Sequence, residues 1–406
     1  MVVGIDIGSS KICVLVAEVG GEYGMRIVGV GLVPARGMRK GVVVNVNEVT
    51  QSIMTAVSEA ERTSGYRIER AYVGLSGAHT ASQNSHGMVA VSRRDDGIAL
   101  DDIDRVMDAA GAVNLSHNRE LLHVIPRRYT VDDQAGVRDP LGMHGFRLEM
   151  EAHVVTSSTT ALQNLVKCVV GAGVEADEVA LSSLAAAHAV LDESEREMGA
   201  VLVDMGGGTT DIAIFIDGTV WHTSTLGIGG EYITSDVAIG LRLTSELAES
   251  VKIEYGHARA IQVAQDERFT VKGIGDSGLQ PISRWKLAEI IEARVEEMLG
   301  MVGQEIKRSG YDGLLPAGVV LCGGVAQLPG IEDLGRDVLG LPVRIGTPKG
   351  LVGLIDRVSG PAFAVPVGLV SWGVMADGRR PLPKAGASFG RRLAKWLRAL
   401  LPGQTG

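Results

Sequence analysis

The sequence predicts an α/β protein whose two lobes face each other across a cleft. A chain of 406 residues is longer than a single hydrophobic core usually supports, so two or more lobes are expected. One pattern also occurs twice: an apolar strand that ends in an aspartate, a turn of small residues, and a second apolar strand. The first copy reads VVGID-IGSSK-ICVLVAEV, and the second reads AVLVD-MGGGTT-DIAIFID. Such a duplication is typical of two related lobes.

Each copy is followed by further elements of an α/β fold. After the first copy, apolar residues recur at helical spacing and Gly65 marks the end of that helix; they are Val49, Ile53, Val57 and Ala60. Between the copies we predict a helix over DDIDRVMDAAGAV and strands over ELLHVIPRRYTVD and RLEMEAHVVTS. After the second copy we predict a long amphipathic helix that begins after Ser283 and ends before Gly310.

The charge of the chain is unevenly distributed. The formal net charge is −9, and seven basic residues with no acidic one lie between Gly378 and Gly406. Subtracting those seven charges leaves residues 1–377 with −16, which argues against general nucleic-acid binding. The three cysteines form no metal-ligand pattern and indicate a reducing compartment. We expect no signal peptide, because the chain opens directly into a strand.

The first small-residue turn is a candidate phosphate-binding loop. Residues 6–11 read DIGSSK, so small residues would let backbone N–H groups approach phosphate oxygens closely. Ser9 and Ser10 add hydroxyl donors, Lys11 adds a positive charge, and Asp6 is placed to hold a hydrated Mg²⁺. Taken alone, this motif fits an ordinary hairpin turn with a surface lysine better.

The second turn favours a nucleotide site. Residues 204–211 read DMGGGTTD, and successive glycines are costly unless the backbone must approach something closely. A buried aspartate is also costly unless it is paired or binds a metal. Because the same device occurs at Asp6 and at Asp204, we predict one nucleotide site shared by both turns. A third turn, Gly323-Gly324, would let an adenine or ribose lie on the backbone, although by itself it is weak evidence.

Other nucleotide-binding signatures are excluded. A GxGxxG pattern spans residues 273–278, but the next helix begins too late for a dinucleotide fingerprint, so we interpret the pattern as a turn. No GxxxxGK[ST] loop is present, which excludes the P-loop class. The histidines show no metal-ligand spacing.

The stretch SFGRRLAKWLRALL (residues 388–401) predicts an amphipathic helix. Its apolar residues share a sector of roughly 140°; they are Phe389, Leu393, Trp396, Leu397, Leu400 and Leu401. Its basic residues lie opposite; they are Arg391, Arg392, Lys395 and Arg398. A helix of about 20 Å with this composition is typical of one that lies in a membrane interface without spanning the membrane. A helix docked on the protein's own body or on a partner protein is the alternative.

Several motifs carry a resemblance to known proteins. Residues 6–11, 204–211 and 323–324 resemble the two phosphate loops and the adenosine loop of the actin-like ATPase superfamily. That resemblance implies the actin/Hsp70/sugar-kinase (ribonuclease H-like) fold. Two longer stretches resemble the FtsA family of bacterial cell-division proteins: HVIPRRYTVDDQAGVRDPLGMHGFRLEMEAHVVT and LGIGGEYITSDVAIGLRLTSELAESVKIEYGHA. The resemblance covers nearly the whole chain up to the basic tail.

The resemblance implies an ATP site with Mg²⁺. Phosphate contacts would come from Gly8, Ser9, Ser10, Lys11, Gly206, Gly207, Gly208, Thr209 and Thr210. The Mg²⁺ would be surrounded by Asp6, Asp204 and Asp211. The nucleoside would be bordered by Gly229, Gly230, Glu249, Lys252, Gly323 and Gly324. Ser182-Ser183 stands where many relatives carry Glu-Pro, so we name no catalytic residue and expect weak or absent hydrolysis, with ATP setting the conformation.

The resemblance also implies a division of the chain into segments. Lobe 1 would comprise residues 1–80, an FtsA-type inserted subdomain residues 81–158, and the lobe 2 core residues 159–228. A lobe 2 insertion would follow over residues 229–305, and residues 306–376 would return to both cores. A linker over residues 377–387 and a membrane-targeting helix over residues 388–402 would complete the chain.

Partners follow from the same resemblance. Residues 229–305 would bind the C-terminal tail of the tubulin-like FtsZ, and the chain would polymerise with itself. The terminal helix would bind an anionic membrane surface on the cytoplasmic side at the division site, and later division proteins would be recruited. Two alternatives stay open here: an FtsA-related pilus assembly platform, which should lack the membrane helix, and a small-molecule kinase, which would need a carboxylate base and a substrate pocket.

Overall fold

The computed structural model describes residues 1–20, 25–92, 97–272 and 279–378. The GxGxxG pattern at residues 273–278 and the predicted amphipathic helix lie outside the described residues. No helix in the described ranges is both long and apolar enough to cross a membrane.

The first lobe begins with the first copy of the duplicated hairpin. Its elements are β1 (Val2–Ile7), β2 (Lys11–Val19), β3 (Met25–Pro34), β4 (Met38–Arg39), β5 (Val42–Val43), α1 (Val46–Ser64) and β6 (Arg70–Leu75). Helix α1 begins after Asn45, whose side chain accepts two backbone N–H groups, and it ends at Gly65 in the left-handed conformation. Its predicted apolar face is buried, which confirms the helical spacing.

An inserted subdomain follows. It consists of β7 (Thr80–Ala90), α2 (Leu100–Gly111), β8 (Arg119–Val131), β9 (Gln134–Val137) and β10 (Arg147–Ser158). The strands form an antiparallel sheet in the order β7-β10-β8-β9. Helix α2 contributes Val106 and Ala110 to a hydrophobic cluster confined to this part of the chain. A core of its own identifies the segment as a subdomain.

The chain then returns to the first lobe, contrary to the predicted boundary. The next elements are α3 (Thr159–Gly171), β11 (Glu175–Leu181), α4 (Ser182–Val190) and α5 (Glu193–Met198). Strand β11 pairs in parallel with β6, and α3 buries Leu162 and Leu165 in the core of the first lobe. The prediction that the lobe 2 core begins at residue 159 is therefore wrong, because an apolar strand does not reveal which sheet it will join.

The second lobe contains the second copy of the hairpin and an insertion. Its elements are β12 (Ala200–Met205), β13 (Thr210–Ile216), β14 (Thr219–Leu226), α6 (Gly230–Leu241), α7 (Ser245–Tyr255), β15 (Arg268–Lys272), β16 (Leu279–Ser283) and α8 (Arg284–Ser309). As predicted, the Ser283 side chain caps α8 and Gly310 ends it.

The last described part of the chain completes both sheets. Its elements are β17 (Gly318–Cys322), α9 (Ile331–Leu339), β18 (Val343–Ile345), β19 (Val352–Gly353) and α10 (Ala364–Gly378). The first sheet has the order β11-β6-β1-β2-β3-β19, and the second has the order β14-β13-β12-β17-β18. Helix α10 reaches Gly378 and so extends past the predicted start of the linker at residue 377.

The duplication is visible in the strand pairing. Strand β1 is antiparallel to β2 and parallel to β6, while β12 is antiparallel to β13 and parallel to β17. Helices α4 and α10 pack together in a core that both lobes share. They approach so closely that a Cβ on Gly368 would lie 1.8 Å from the carbonyl oxygen of Ala185. This shared core fixes the two aspartate-ended strands relative to each other.

Candidate functional site

Two equivalent loops lie at the base of the cleft. Loop 1 (residues 8–10) joins β1 to β2, and loop 2 (residues 206–209) joins β12 to β13. In each loop the first glycine donates its N–H back across the turn. Gly8 donates to the carbonyl of Lys11 at 3.0 Å, and Gly206 donates to that of Thr209 at 2.9 Å. The same local hydrogen bond therefore shapes both turns.

The two loops touch each other. A Cβ placed on Gly207 would lie 2.8 Å from the Cβ of Ser10, and one on Gly208 would lie 2.5 Å from the Oγ of Ser9. Side chains at these positions would force the loops apart. Gly207 and Gly208 are thus required by close approach of the lobes, in line with the cost of successive glycines, whereas a Cβ on Gly206 would meet only Thr209 of its own turn.

The cavity between the lobes contains most of the predicted phosphate and metal residues. From the predicted set it is lined by Asp6, Gly8, Ser9, Ser10, Lys11, Asp204, Gly206, Gly207, Gly208, Thr209, Asp211, Gly323 and Gly324. The prediction that Thr210 contacts phosphate is wrong. Thr210 is fully buried in β13 and does not line the cavity, and its hydroxyl donates to the carbonyl of Ile228 at 2.8 Å.

Two buried carboxyl groups at the floor of the cavity have pKa values well above those of ordinary aspartates. Burial, opposed by the charge of Lys11 and aided by that of Asp211, raises the pKa of Asp6 to about 6. Burial, followed by the charges of Asp211 and Asp6, raises the pKa of Asp204 to about 7. Carboxylates confined together in this way are stabilised by a bound cation.

The carboxylate of Asp211 is engaged by hydroxyl groups. Its Oδ2 accepts hydrogen bonds from Ser76 at 2.5 Å and from Thr209 at 3.2 Å, and its Oδ1 accepts one from Thr225 at 2.6 Å. Ser76 follows β6 of the first lobe, so this network joins the lobes. Asp211 is therefore less available to a metal than Asp6 or Asp204. In the described part of the chain no group of three or more His, Cys, Asp or Glu side chains is arranged to hold a metal ion.

Lys11, the first residue of β2, contacts the segment just before α10, which forms one wall of the cavity. Its ammonium donates to the carbonyl oxygen of Ala362 at 2.6 Å and lies 5.2 Å from the ring centroid of Phe363. The same ammonium lowers the pKa of Asp6. Lys11 therefore places a positive charge beside loop 1.

The predicted nucleoside residues fall into two groups. Gly323 and Gly324 line the cavity, and the close approach of Gly323 leaves no room for a side chain, since its Cβ would lie 2.4 Å from Asp204 Oδ1. The others lie beside loop 2, where Lys252 pairs with Glu249 at 2.6 Å and donates to the carbonyl of Gly230 at 3.3 Å. Gly229 adjoins them at the start of α6. Their contact with a nucleoside stays a prediction.

Some cavity residues escaped the sequence interpretation. Gly41, Ser76, Pro361, Ala362 and Val365 line the cavity together with Ile7 and Ser182. Gly41 belongs to the turn between β4 and β5, where the stretch GMRKG is a glycine-bounded polar turn that could have been recognised. Ser76 and Ala362 carry no such local signal. They reach the cavity only because β6 and the segment before α10 end there.

Comparisons with known proteins agree with this architecture. A family model described as "Cell division protein FtsA" matches residues 201–368, and one described as "SHS2 domain inserted in FTSA" matches residues 77–156. The FtsA of Pseudomonas aeruginosa is 43% identical over 408 residues, covering 98% of this chain and 97% of the relative. That of Bacillus subtilis is 40% identical over 370 residues, covering 91% of this chain and 82% of the relative.

The chain belongs to the FtsA family of cell-division proteins. The family resemblance is therefore confirmed, and so is the inserted subdomain. Membership also decides against the pilus platform as the family of this chain.

Solved structures show the same fold at low sequence identity. This FtsA-family chain is similar to a protein of the PilM-PilN type IV pilus biogenesis complex, with a TM-score of 0.67, 17% identity, and coverage of 92% of this chain and 98% of the other. It is also similar to MreB 5 of Spiroplasma citri bound to AMPPNP, with a TM-score of 0.56, 13% identity and coverage of 98% of both chains. These likenesses confirm the actin-like ATPase fold.

Proposed function

We propose that this FtsA-family chain binds ATP with Mg²⁺ between its lobes. The observation that supports the proposal is the contact between loops 1 and 2 beside the buried carboxyl groups of Asp6 and Asp204. Loop N–H groups and the hydroxyls of Ser9, Ser10 and Thr209 are suited to phosphate oxygens, and Lys11 adds charge. Asp6 and Asp204 would hold the cation mainly through water, as is usual for Mg²⁺ bound to nucleotide phosphates. The nucleotide-bound MreB structure of the same fold supports this proposal.

Titration calorimetry tests the nucleotide site directly. We expect the full chain to bind ATP and ADP at millimolar Mg²⁺, and to bind ATP more weakly when the metal is chelated. If the folded chain binds neither nucleotide with Mg²⁺ present, the proposal is wrong.

We propose further that the chain connects FtsZ filaments to the cytoplasmic face of the membrane at the division site. Family membership supports the division role. The predicted terminal helix supports peripheral attachment, because its apolar face and its basic residues suit an anionic bilayer. The insertion carrying α6, α7 and α8 would bind the FtsZ tail. Nucleotide-dependent polymerisation of the chain and recruitment of later division proteins complete the proposal.

Co-sedimentation with anionic liposomes, ATP and FtsZ tests the tether. Leu397→Glu places a charge on the predicted apolar face, whereas Ala399→Glu places the same charge on the basic side. We expect Leu397→Glu to abolish sedimentation of the chain and of FtsZ with liposomes, and Ala399→Glu to reduce it far less. If a chain lacking residues 388–402 still brings FtsZ down with liposomes, the tether is refuted.

A further inference from the structure

The turn between β4 and β5 has an unusual backbone. Lys40 and Gly41 occupy its two central positions with φ angles of +50° and +74°. Such turns favour Asn or Gly at the first central position, because other side chains crowd the backbone there. A lysine held in this conformation indicates that its surroundings or its function require it.

The same turn contacts both loop 1 and loop 2. The N–H of Gly41 donates to the Oγ of Ser9 in loop 1 at 3.1 Å. On the other side, a Cβ on Gly208 in loop 2 would lie 3.0 Å from the Cα of Lys40. The Lys40 side chain therefore starts at the junction of the two loops.

The ammonium of Lys40 has a neutral partner. It contacts the hydroxyl of Tyr232 and lies 4.9 Å from the centroid of that ring. Within the described ranges, no carboxylate forms an ion pair with Lys40. A half-buried cation gains less from a phenol than from an anion, because charge-assisted hydrogen bonds are the stronger kind.

Tyr232 belongs to α6, whose first turn lies against loop 2. In the first turn of α6, Gly230 N–H donates to the carbonyl of Gly206 at 2.9 Å, and Glu231 N–H donates to that of Gly207 at 2.8 Å. Lys40 thus connects the first lobe to α6, whose first turn is hydrogen-bonded to loop 2. If Lys40 exchanged Tyr232 for another partner, α6 would lose this contact with the first lobe.

We propose that Lys40 binds the terminal phosphate of a bound nucleoside triphosphate and gives up Tyr232 to do so. The inference rests on the proposed nucleotide site. A diphosphate lacks the group that draws Lys40 away, so the contact with Tyr232 persists. Lys40 therefore makes the site prefer a triphosphate to a diphosphate. The contact between Lys40 and α6 is lost with the triphosphate and kept with the diphosphate.

Calorimetry with ATP and with ADP, both at millimolar Mg²⁺, measures this preference. The test variant is Lys40→Asn, because asparagine suits the left-handed turn while it removes the charge. We expect its affinity for ATP to fall about ten-fold or more, the size of one charge-assisted hydrogen bond, with its affinity for ADP nearly unchanged. The matched control is Arg39→Asn, which removes an exposed charge from the same hairpin and should leave the ATP-to-ADP ratio unaltered.

Tyr232→Phe provides a second measurement. Removal of the hydroxyl frees Lys40, so the preference for ATP over ADP should increase a few-fold. An unchanged ATP-to-ADP ratio in folded Lys40→Asn overturns the inference and leaves nucleotide binding intact. A wild-type chain that binds both nucleotides equally also overturns it, whereas a chain that binds neither refutes the proposed function and this inference together.

Discussion

Asp204 shows how a single buried side chain can oppose folding. It is the last residue but one of a strand whose residues are all buried, and its neighbours Asp6 and Asp211 are acidic. Its pKa of about 7 exceeds the ordinary 3.8, so the folded chain retains this proton more strongly than the unfolded chain does. The ionised carboxylate therefore reduces the free energy of unfolding progressively as pH rises from about 4 to 7.

Asp204→Asn should stabilise the ligand-free protein at pH 8. The amide removes the buried charge, and the gain should shrink by about 1–2 kcal/mol when the pH is lowered to 5.5, where Asp204 is mostly protonated. Urea unfolding at both pH values measures this difference. A variant no more stable than the wild type at pH 8 would show that Asp204 is not destabilised by its surroundings. The same variant should bind Mg²⁺–ATP more weakly.

Ser182 lines the cavity at the position where, by the family resemblance, many relatives carry a glutamate. It begins α4, and it lines the cavity between the loops. A hydroxyl of ordinary pKa does not take a proton from water at neutral pH, so this position lacks the carboxylate that would activate a hydrolytic water. If the proposed ATP site is occupied, we therefore expect slow hydrolysis.

Ser182→Glu should increase ATP hydrolysis at least about ten-fold, because a positioned base typically contributes that much or more. Ser182→Gln is the matched control, since it has the same size but no base. Phosphate release under saturating ATP measures both. Equal rates in the two variants, each still binding ATP, would exclude a role for this position in hydrolysis.

At the scale of the elements, close packing depends on glycines that lie away from the cavity. Helix α1 lies against β3, where a Cβ on Gly31 would come within 1.8 Å of the carbonyl oxygen of Ala56. The backbones can approach each other only if that position has no side chain. By contrast, Gly300 in α8 has open space around it, so its cost is only that of low helix propensity.

Gly31→Ala should therefore destabilise the protein by about 2 kcal/mol or more, because helix and strand must separate to admit the methyl group. Gly300→Ala is the control and should stabilise it by about 0.5–1 kcal/mol. Denaturant unfolding of both variants gives the comparison. A neutral Gly31→Ala would mean that α1 shifts without loss of packing.

At the scale of the whole molecule, the inserted subdomain contacts the second lobe through a polar interface. His153 in β10 is buried; its Nδ1 lies 2.9 Å from Asn84 Oδ1, and its Nε2 lies 3.0 Å from Thr223 Oγ1 in β14. Ser82 also donates to the carbonyl of Thr223 at 2.8 Å. Burial, with smaller effects from His222, Arg127 and His123, lowers the pKa of His153 to about 3. The interface is thus built for a neutral histidine.

Acid should weaken this interface. The unfolded chain binds a proton at His153 below pH 6.5 and the folded chain does not, so stability is lost as the pH falls from 6.5 towards 3. Relative to His153→Gln, which cannot titrate, the wild type should lose about 2 kcal/mol between pH 7.5 and pH 5. Thermal unfolding at the two pH values measures the difference. A constant gap between the two proteins would contradict a neutral buried His153.

The duplicated hairpins, the Gly65 cap of α1, both caps of α8, and most residues of loops 1 and 2 are predictable from the amino-acid sequence. These features are local: an apolar strand, a terminal aspartate, a glycine turn and a capping side chain act on backbone within a few residues. Both aspartate–glycine turns can therefore be located from residue order, and the family motifs can be matched to them.

Other features depend on how strands and helices distant in the chain pack together. The sheet that β11 joins, the orientation of Thr210 away from the cavity, and the contact of Lys40 with Tyr232 are of this kind, as are the positions of Ser76 and Ala362 in the cavity wall. Each joins residues far apart in the chain: β11 pairs with β6 inside the first lobe and Thr210 meets Ile228 inside the second, whereas the contacts of Lys40 with Tyr232 and of Ser76 with Asp211 join the two lobes. A residue's type and its sequence neighbours specify how the backbone turns, whereas the partner it meets depends on how the sheets and helices pack together.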